Sequence, residues 1–200
     1  EKKELNIQHK LAFGQLSEDE RLALTDAMIR DSTTMREQGY GRVLMTSSTS
    51  GVYGNFGQAN YGAAKAGLIG LMNVLHFEGQ KYGIHVNAVL PTAATRMTGD
   101  MMEEETLAHL SPENVVPAAL YLTSEGAPSR TALLAGAGTV ARLAIVENQG
   151  VYLPEGDRTP EAVAEAFGTL AKLEGFIETQ NGLDHVERIV ARARDAKRAV

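Results

Sequence analysis

The sequence predicts an α/β fold built on a parallel sheet, and three observations carry that prediction. Two short, mostly apolar runs bounded by turn residues, Arg42–Thr46 and Ile84–Leu90, have the character of buried parallel strands. A long helical segment, about Asn60 to Tyr82, lies between them. Strand, long helix and strand within about 50 residues form a crossover unit, which antiparallel strands do not need.

The remaining elements follow in chain order. Ser17-Glu18-Asp19-Glu20 is a capping-box pattern, so a helix is expected from about Glu18 to Gln38, stopped by Gly39 and Gly41. The long helix is supported by its alanine-rich start and by Ala64, Leu68, Leu71 and Leu75, with Lys81 and Gly83 at its end. Ser111-Pro112 supplies an N-cap and first-turn proline for a helix through about Leu122. Thr131–Leu134 is expected as a third strand running into a loop at Ala135-Gly136-Ala137-Gly138. Thr159-Pro160-Glu161 starts another helix, and Asp184 with Glu187 opens a basic terminal helix. Between those two, residues 175–183 are polar and glycine-containing, as a hinge would be. The expected organisation is a helical segment at 1–38, a half-sheet domain at 39–142 and a helical extension at 143–200.

Composition limits the function classes. With 44% hydrophobic and 22% charged residues over 200 positions, the chain can build a core, which excludes disorder along its whole length. It has no cysteine, so disulfides and thiolate catalysis are excluded and a cytoplasmic setting is expected. A net charge of -6 with scattered basic residues argues against a nucleic-acid partner. No apolar run approaches the roughly 20 residues that span a bilayer, and the first residues lack a signal-peptide core, so no membrane association is expected. The five histidines lack paired ligand spacing on one helix, so no metal site is expected.

The residues that carry chemistry are Ser48, Tyr61 and Lys65. Tyr61 and Lys65 stand four apart at the start of the long helix, which sets them on one face about 6 Å apart along the axis. Bringing a phenol from about 10 to about 7 requires roughly 4 kcal/mol of stabilisation of the phenolate. One ammonium at about 4 Å supplies roughly that amount at an effective dielectric near 20. Tyrosine can then exchange protons without a histidine. Ser48 lies just beyond the first strand, and carboxyl ends of parallel strands face the ligand crevice, so its hydroxyl can hold a substrate oxygen opposite the phenol. A Tyr-x-x-x-Lys pair alone fits core packing equally well; the strand, serine-rich turn and glycine-rich loop before it give it weight.

Thr46-Ser47-Ser48, Tyr61-Gly62-Ala63-Ala64-Lys65 and His85-Val86-Asn87-Ala88-Val89-Leu90-Pro91 together resemble the short-chain dehydrogenase/reductase family. The run from Ser47 through Gly51-Val52-Tyr53-Gly54-Asn55-Phe56-Gly57-Gln58-Ala59-Asn60 to Tyr61 is most similar to the (3R)-hydroxyacyl-CoA dehydrogenase portion of peroxisomal multifunctional enzymes and its bacterial relatives. The resemblance runs from about Met35 to the carboxyl terminus. It implies a Rossmann-like, doubly wound sheet of which this chain holds the C-terminal half, and NAD-dependent interconversion of 3-hydroxyacyl-CoA and 3-ketoacyl-CoA, with NADP also open. Tyr61 would exchange the hydroxyl proton, Lys65 would lower the tyrosine's pKa and bind the nicotinamide ribose, and Ser48 would orient the substrate oxygen. Pro91, Thr92 and Thr95 would lie near the nicotinamide carboxamide, although Thr92 replaces the glycine usual in the family. Asn60 and Asn87 would shape the loop and strand. Met101-Met102-Glu103-Glu104-Glu105 lies where the family has a substrate-binding lid; an amphipathic surface helix is the equal alternative.

The same resemblance implies a first half-sheet with a pyrophosphate-binding glycine turn, for which the 41 residues before Arg42 leave no room. Neither Gly51–Gly57 nor Ala135–Gly138 fits that role, so a truncated chain with poor dinucleotide binding is expected. Arg188, Arg192, Arg194, Lys197 and Arg198 make the last helix basic, read as a solvated face with a CoA phosphate as the alternative. Two functions stay open. One is hydroxyacyl-CoA oxidoreduction on an acyl-CoA-type substrate. The other is a non-catalytic remnant kept for association, with a homodimer expected through the long helix at Ala66, Gly67 and Gly70.

Overall fold

The computed structural model describes residues 31–94, 103–172 and 174–198, which fall into two compact units, one ending at Leu143 and the other beginning at Ala144. In the first unit, helix α1 occupies 31–38 and the chain then enters β1, Gly41–Thr46. Helix α2, Ala59–Gln80, and strand β2, Ile84–Pro91, complete the expected crossover. The expected start of the first helix, at Glu18, lies outside the described residues.

The sheet order is β1-β2-β3-β4, with β1, β2 and β3 (Ala132–Gly136) parallel. Strand β2 is central and buried on both faces. Because side chains alternate, Ile84, Val86, Ala88 and Leu90 join Ile69 and Met72 of α2 in one core. Val89 faces the other way, with Ala135, and packs with Ala118 and Leu122. Those two belong to α4, Val116–Thr123, so the sheet is covered on both sides.

Asn87 is the polar residue inside β2, and it is fully buried. Its Nδ2 donates to the carbonyls of Leu122 at 3.0 Å and Pro128 at 2.6 Å, and its Oδ1 accepts from Thr131 N at 2.9 Å. It therefore locks the end of α4 and the approach to β3 onto the central strand. Arg42 does related work at the start of β1, donating to the carbonyls of Ser124 and Glu125 just past α4.

Two expectations for the first unit need correction. The segment after β3 is not a loop: Ala137 and Gly138 both have positive φ, a two-residue turn into β4, Thr139–Leu143, which pairs antiparallel with β3. The single helix expected from Ser111 is a 3-10 turn, Pro112–Val115, followed by α4, and Ser111 does not cap it; its hydroxyl bonds the Glu113 carboxylate instead. The segment around the expected lid holds the short helix α3, Glu104–His109, while Met101 and Met102 lie outside the described residues.

In the second unit, Thr159 caps α5, Pro160–Leu170, by accepting from Ala162 N at 3.1 Å, as its sequence predicts. The last helix, α6, runs Gly182–Arg198 and begins earlier than expected, because Asn181 accepts from Asp184 N and so holds the first turn. Residues 175–183 are not free to act as a simple hinge, since Ile177 pairs antiparallel with Glu147. The Glu147 carboxylate also receives the Thr179 hydroxyl, His185 Nδ1 and Arg188. These hold its pKa below the usual carboxylate range, the Thr179 bond first and that of His185 next. Arg192 donates to Gly150 O and Gln149 Oε1. The arginine face of α6 is thus partly spent on internal bonds and is not simply solvated.

One histidine makes the first unit sensitive to pH. The Ser129 hydroxyl joins Val86 N, from which it accepts at 3.0 Å, to His76 Nδ1 at 2.8 Å. Burial, then the charges of Arg130 and His85, hold the His76 pKa below its ordinary value. A folded pKa below the unfolded value means its stabilisation is full above about 6.5 and is lost as pH falls below that. Melting followed by circular dichroism should show Tm falling between pH 7.5 and 5, with a shallower fall in His76→Gln. Equal slopes would remove His76 from the account.

Candidate active site

The carboxyl ends of β1, β2 and β3 meet at one edge of the sheet, and pairing continues past the strands. Ser47 N donates to Val89 O at 2.9 Å, and Thr92 N donates to Ala135 O at 2.8 Å. This fixes the residues that follow each strand, among them Ser48 and Thr92. Ser48 is extended and caps a 3-10 turn, Thr49–Gly51, its hydroxyl oxygen accepting from Ser50 N at 3.2 Å. The Ser48 hydroxyl keeps its hydrogen and one lone pair for a further partner.

That turn lies against the first two turns of α2. A Cβ on Gly51 would sit 2.7 Å from Ala66 N and 2.8 Å from the Lys65 carbonyl carbon, so only glycine permits the approach. A Cβ on Gly62 would come within 3.1 Å of Ser50 O. Lys65 is clasped at both ends by consecutive residues of the first strand's exit. Ser47 Oγ, buried, donates to the Lys65 carbonyl at 2.8 Å, and the Lys65 ammonium donates to Thr46 O at 2.8 Å. The same ammonium lies 5.6 Å from the centroid of the Tyr61 ring. Tyr61 is 44% exposed, so its phenol is open to a ligand.

The structure therefore brings the Ser48 turn, Lys65 and the Tyr61 ring together on the start of α2. Pro91 ends β2 at the same edge of the sheet. Thr92 follows it, with its carbonyl only 2.4 Å from where a Cβ on Gly136 would lie, so β3 must carry glycine opposite it. Thr95 lies outside the described residues. Asn60 accepts from Tyr61 N, and Asn87 serves the core, which leaves both as shaping residues. Sequence reasoning missed Ser47 and the packing role of Gly51. Ser47 was legible only as a neighbour of Ser48, because nothing local tells that its hydroxyl turns inward. Gln58, which precedes α2, has its Oε1 buried with no hydrogen-bond partner, a state that costs about 1–3 kcal/mol.

Both glycine-rich stretches build turns. In the first, the amides of Gly51, Val52, Tyr53, Gln58 and Gly62 already donate to carbonyls of Ser48, Thr49, Asn55 and Gln58. The second is the β3–β4 turn. Among the described residues no group of His, Cys, Asp and Glu is arranged to hold a metal ion. Nor is any described helix long and apolar enough to cross a membrane.

Residues 22–106 match the profile described as short chain dehydrogenase. A short-chain type dehydrogenase/reductase of Mycobacterium tuberculosis is 48% identical over 143 residues, covering 70% of this chain and 49% of the relative. Mouse peroxisomal multifunctional enzyme type 2 is 45% identical over 161 residues, covering 76% of this chain and 22% of that enzyme. The solved full-length peroxisomal multifunctional enzyme type 2 of Drosophila melanogaster superposes with a TM-score of 0.70 at 29% identity, over 82% of this chain and 30% of that one. The chain thus spans about half the length of the mycobacterial relative and less than a third of the others.

The Gly51 contact makes a stability prediction with its own control. Gly51→Ala should lose about 1–3 kcal/mol in urea unfolding, because the backbone of α2 must move away. Gly67→Ala, where a Cβ meets nothing within 4 Å, should be neutral or stabilise by up to about 1 kcal/mol. Equal effects would mean that the close approach does not constrain the site.

Proposed function

We propose that this chain, related to the short-chain dehydrogenase/reductase family in both sequence and fold, holds the proton-transfer part of an oxidoreductase that interconverts 3-hydroxyacyl-CoA and 3-ketoacyl-CoA. The observation that carries the reading is the clasp on Lys65 beside Tyr61 and the Ser48 turn. The Ser48 hydroxyl, held by Ser50 N, keeps its hydrogen to donate to the substrate oxygen. Tyr61 gives a proton to that oxygen when a ketone is reduced and takes one when a hydroxyl is oxidised. Lys65, held by Thr46 O, keeps its positive charge beside the Tyr61 ring.

The dinucleotide of this family, NAD(H) with NADP(H) as the alternative, supplies or accepts the hydride when bound. The described residues fit its nicotinamide-ribose end: Lys65 offers an ammonium, and Pro91-Thr92 offers backbone at the same sheet edge. Neither glycine-rich stretch is assigned to its pyrophosphate end: Gly51, Val52 and Tyr53 spend their amides on the 3-10 turn, and Ala137-Gly138 is the β3–β4 turn. The substrate class follows the names of the relatives, among them an acetoacetyl-CoA reductase of Acinetobacter at 39% identity over 103 residues. The cysteine-free composition favours a reducing setting such as the cytoplasm.

The second reading, association without catalysis, is favoured by the outer face of α2. Leu71, Val74 and Phe77 are exposed there, and Gly67 and Gly70 leave open space beside them. We assign this face to a second copy of the chain. Sedimentation should show a dimer that Val74→Glu disrupts, and a wild-type monomer would count against it.

The catalytic reading is tested with acetoacetyl-CoA and NADH, followed by nicotinamide absorbance. Slow thioester-dependent oxidation of NADH is expected, together with NADH binding weaker than micromolar. Tyr61→Phe should cut turnover by about 10²–10⁴-fold while leaving the melting curve nearly unchanged. Turnover that survives in the variant takes Tyr61 out of the mechanism, and no turnover in the wild type leaves the association reading.

A further inference from the structure

At the opposite end of α2 from Tyr61, a second tyrosine sits among cations. Tyr82 lies two residues past the helix and two before β2, at the edge of the sheet where the strands begin. At about 1.5 Å of rise per residue, α2 separates the two tyrosines by about 30 Å. Arg36 of α1 donates from Nη2 to the Tyr82 hydroxyl oxygen at 2.8 Å, in an exposed contact. Its guanidinium carbon is 4.5 Å from the ring centroid, and the Lys81 ammonium is 4.9 Å from the same centroid. The ring itself packs against the α2-side core, which fixes it while the oxygen stays at the surface.

We propose that Tyr82 is an acyl-acceptor phenol, a nucleophilic site separate from Ser48, Tyr61 and Lys65 that captures activated acyl groups. A phenol reacts with such electrophiles through its anion, and two cations at one oxygen and one ring face stabilise that anion. Hydrogen bonding from Lys81, then from Arg36, holds the phenol below its ordinary pKa, although the group is open to solvent and the effect is screened. In the step, the phenolate oxygen attacks the acyl carbon, the new O–C bond forms and the bond from that carbon to its leaving group breaks. The leaving imidazole or thiolate takes up the proton that the phenol gave to solvent. The product ester is a poorer acceptor than the phenol oxygen, so acylation also loosens the tie from α1 to the end of α2.

N-acetylimidazole at pH 7.5 is the probe, with tyrosine acetylation mapped by peptide mass spectrometry over time. This does not depend on the dehydrogenase reading, because neither dinucleotide nor thioester is present. Tyr82 should acetylate about five-fold or more faster than Tyr121 and Tyr152. Lys81→Gln should slow Tyr82 about three-fold and leave Tyr121 unchanged, and Arg36→Gln should do the same. Lys81 is an exposed residue just past α2, so its variant keeps the test sound if removing Arg36 loosens α1. A Tyr82 rate no greater than that of Tyr121, or one that neither variant changes, overturns the proposal.

Discussion

The close approach of the Ser48 turn to helix α2 is the constraint on which the rest of the site depends. Gly51 lets the turn rest on the backbone of Lys65 and Ala66, and Ser47 donates to the carbonyl of the same lysine. The two contacts fix the helix along its axis and in rotation against the end of β1. Lys65 is then held at its backbone by Ser47 and at its ammonium by the carbonyl of Thr46. A charged group on a long flexible stem has many rotamers to lose, and here most of that ordering is done by the scaffold. The position of the Tyr61 ring one turn earlier follows from the helix itself.

The sheet beneath the site is organised by the same economy of contacts. β2 is buried on both faces, so its apolar alternation serves α2 on one side and α4 on the other. The buried Asn87 looks costly in such a strand, yet all three of its hydrogen bonds are made, and each goes to backbone that would otherwise need a partner. It ties α4, the approach to β3 and the central strand into one piece. Any shift of that piece moves the carboxyl ends of β2 and β3, and with them the backbone at Pro91 and Thr92.

Much of this was legible in the sequence because it rests on local patterns. The strands and the long helix were visible as apolar runs, length and turn residues, and the cap of α5 as Thr159-Pro160. What escaped was decided by partners distant in sequence. β4 is a five-residue strand exposed at four of its positions, with Thr139 and Arg142 breaking its apolar residues, so no buried run announces it; it exists because a positive-φ pair at Ala137-Gly138 folds it back on β3. Ser111 looked like a cap, but the carboxylate of Glu113 holds its hydroxyl. The arginines of α6 looked solvated, but Glu147, Gln149 and Gly150 take Arg188 and Arg192.

The sequence by itself determined the chemistry on offer, a phenol, an ammonium and a hydroxyl in an order that matches a known family, because residue identity and helical spacing are local properties. Tertiary structure decided how those groups are held. Which hydroxyl of the Ser47-Ser48 pair turns inward and where the lysine's charge rests both depend on contacts across the fold. Those contacts join residues 18 or more positions apart, such as Ser47 with Lys65, and their geometry is set by packing that no local pattern encodes.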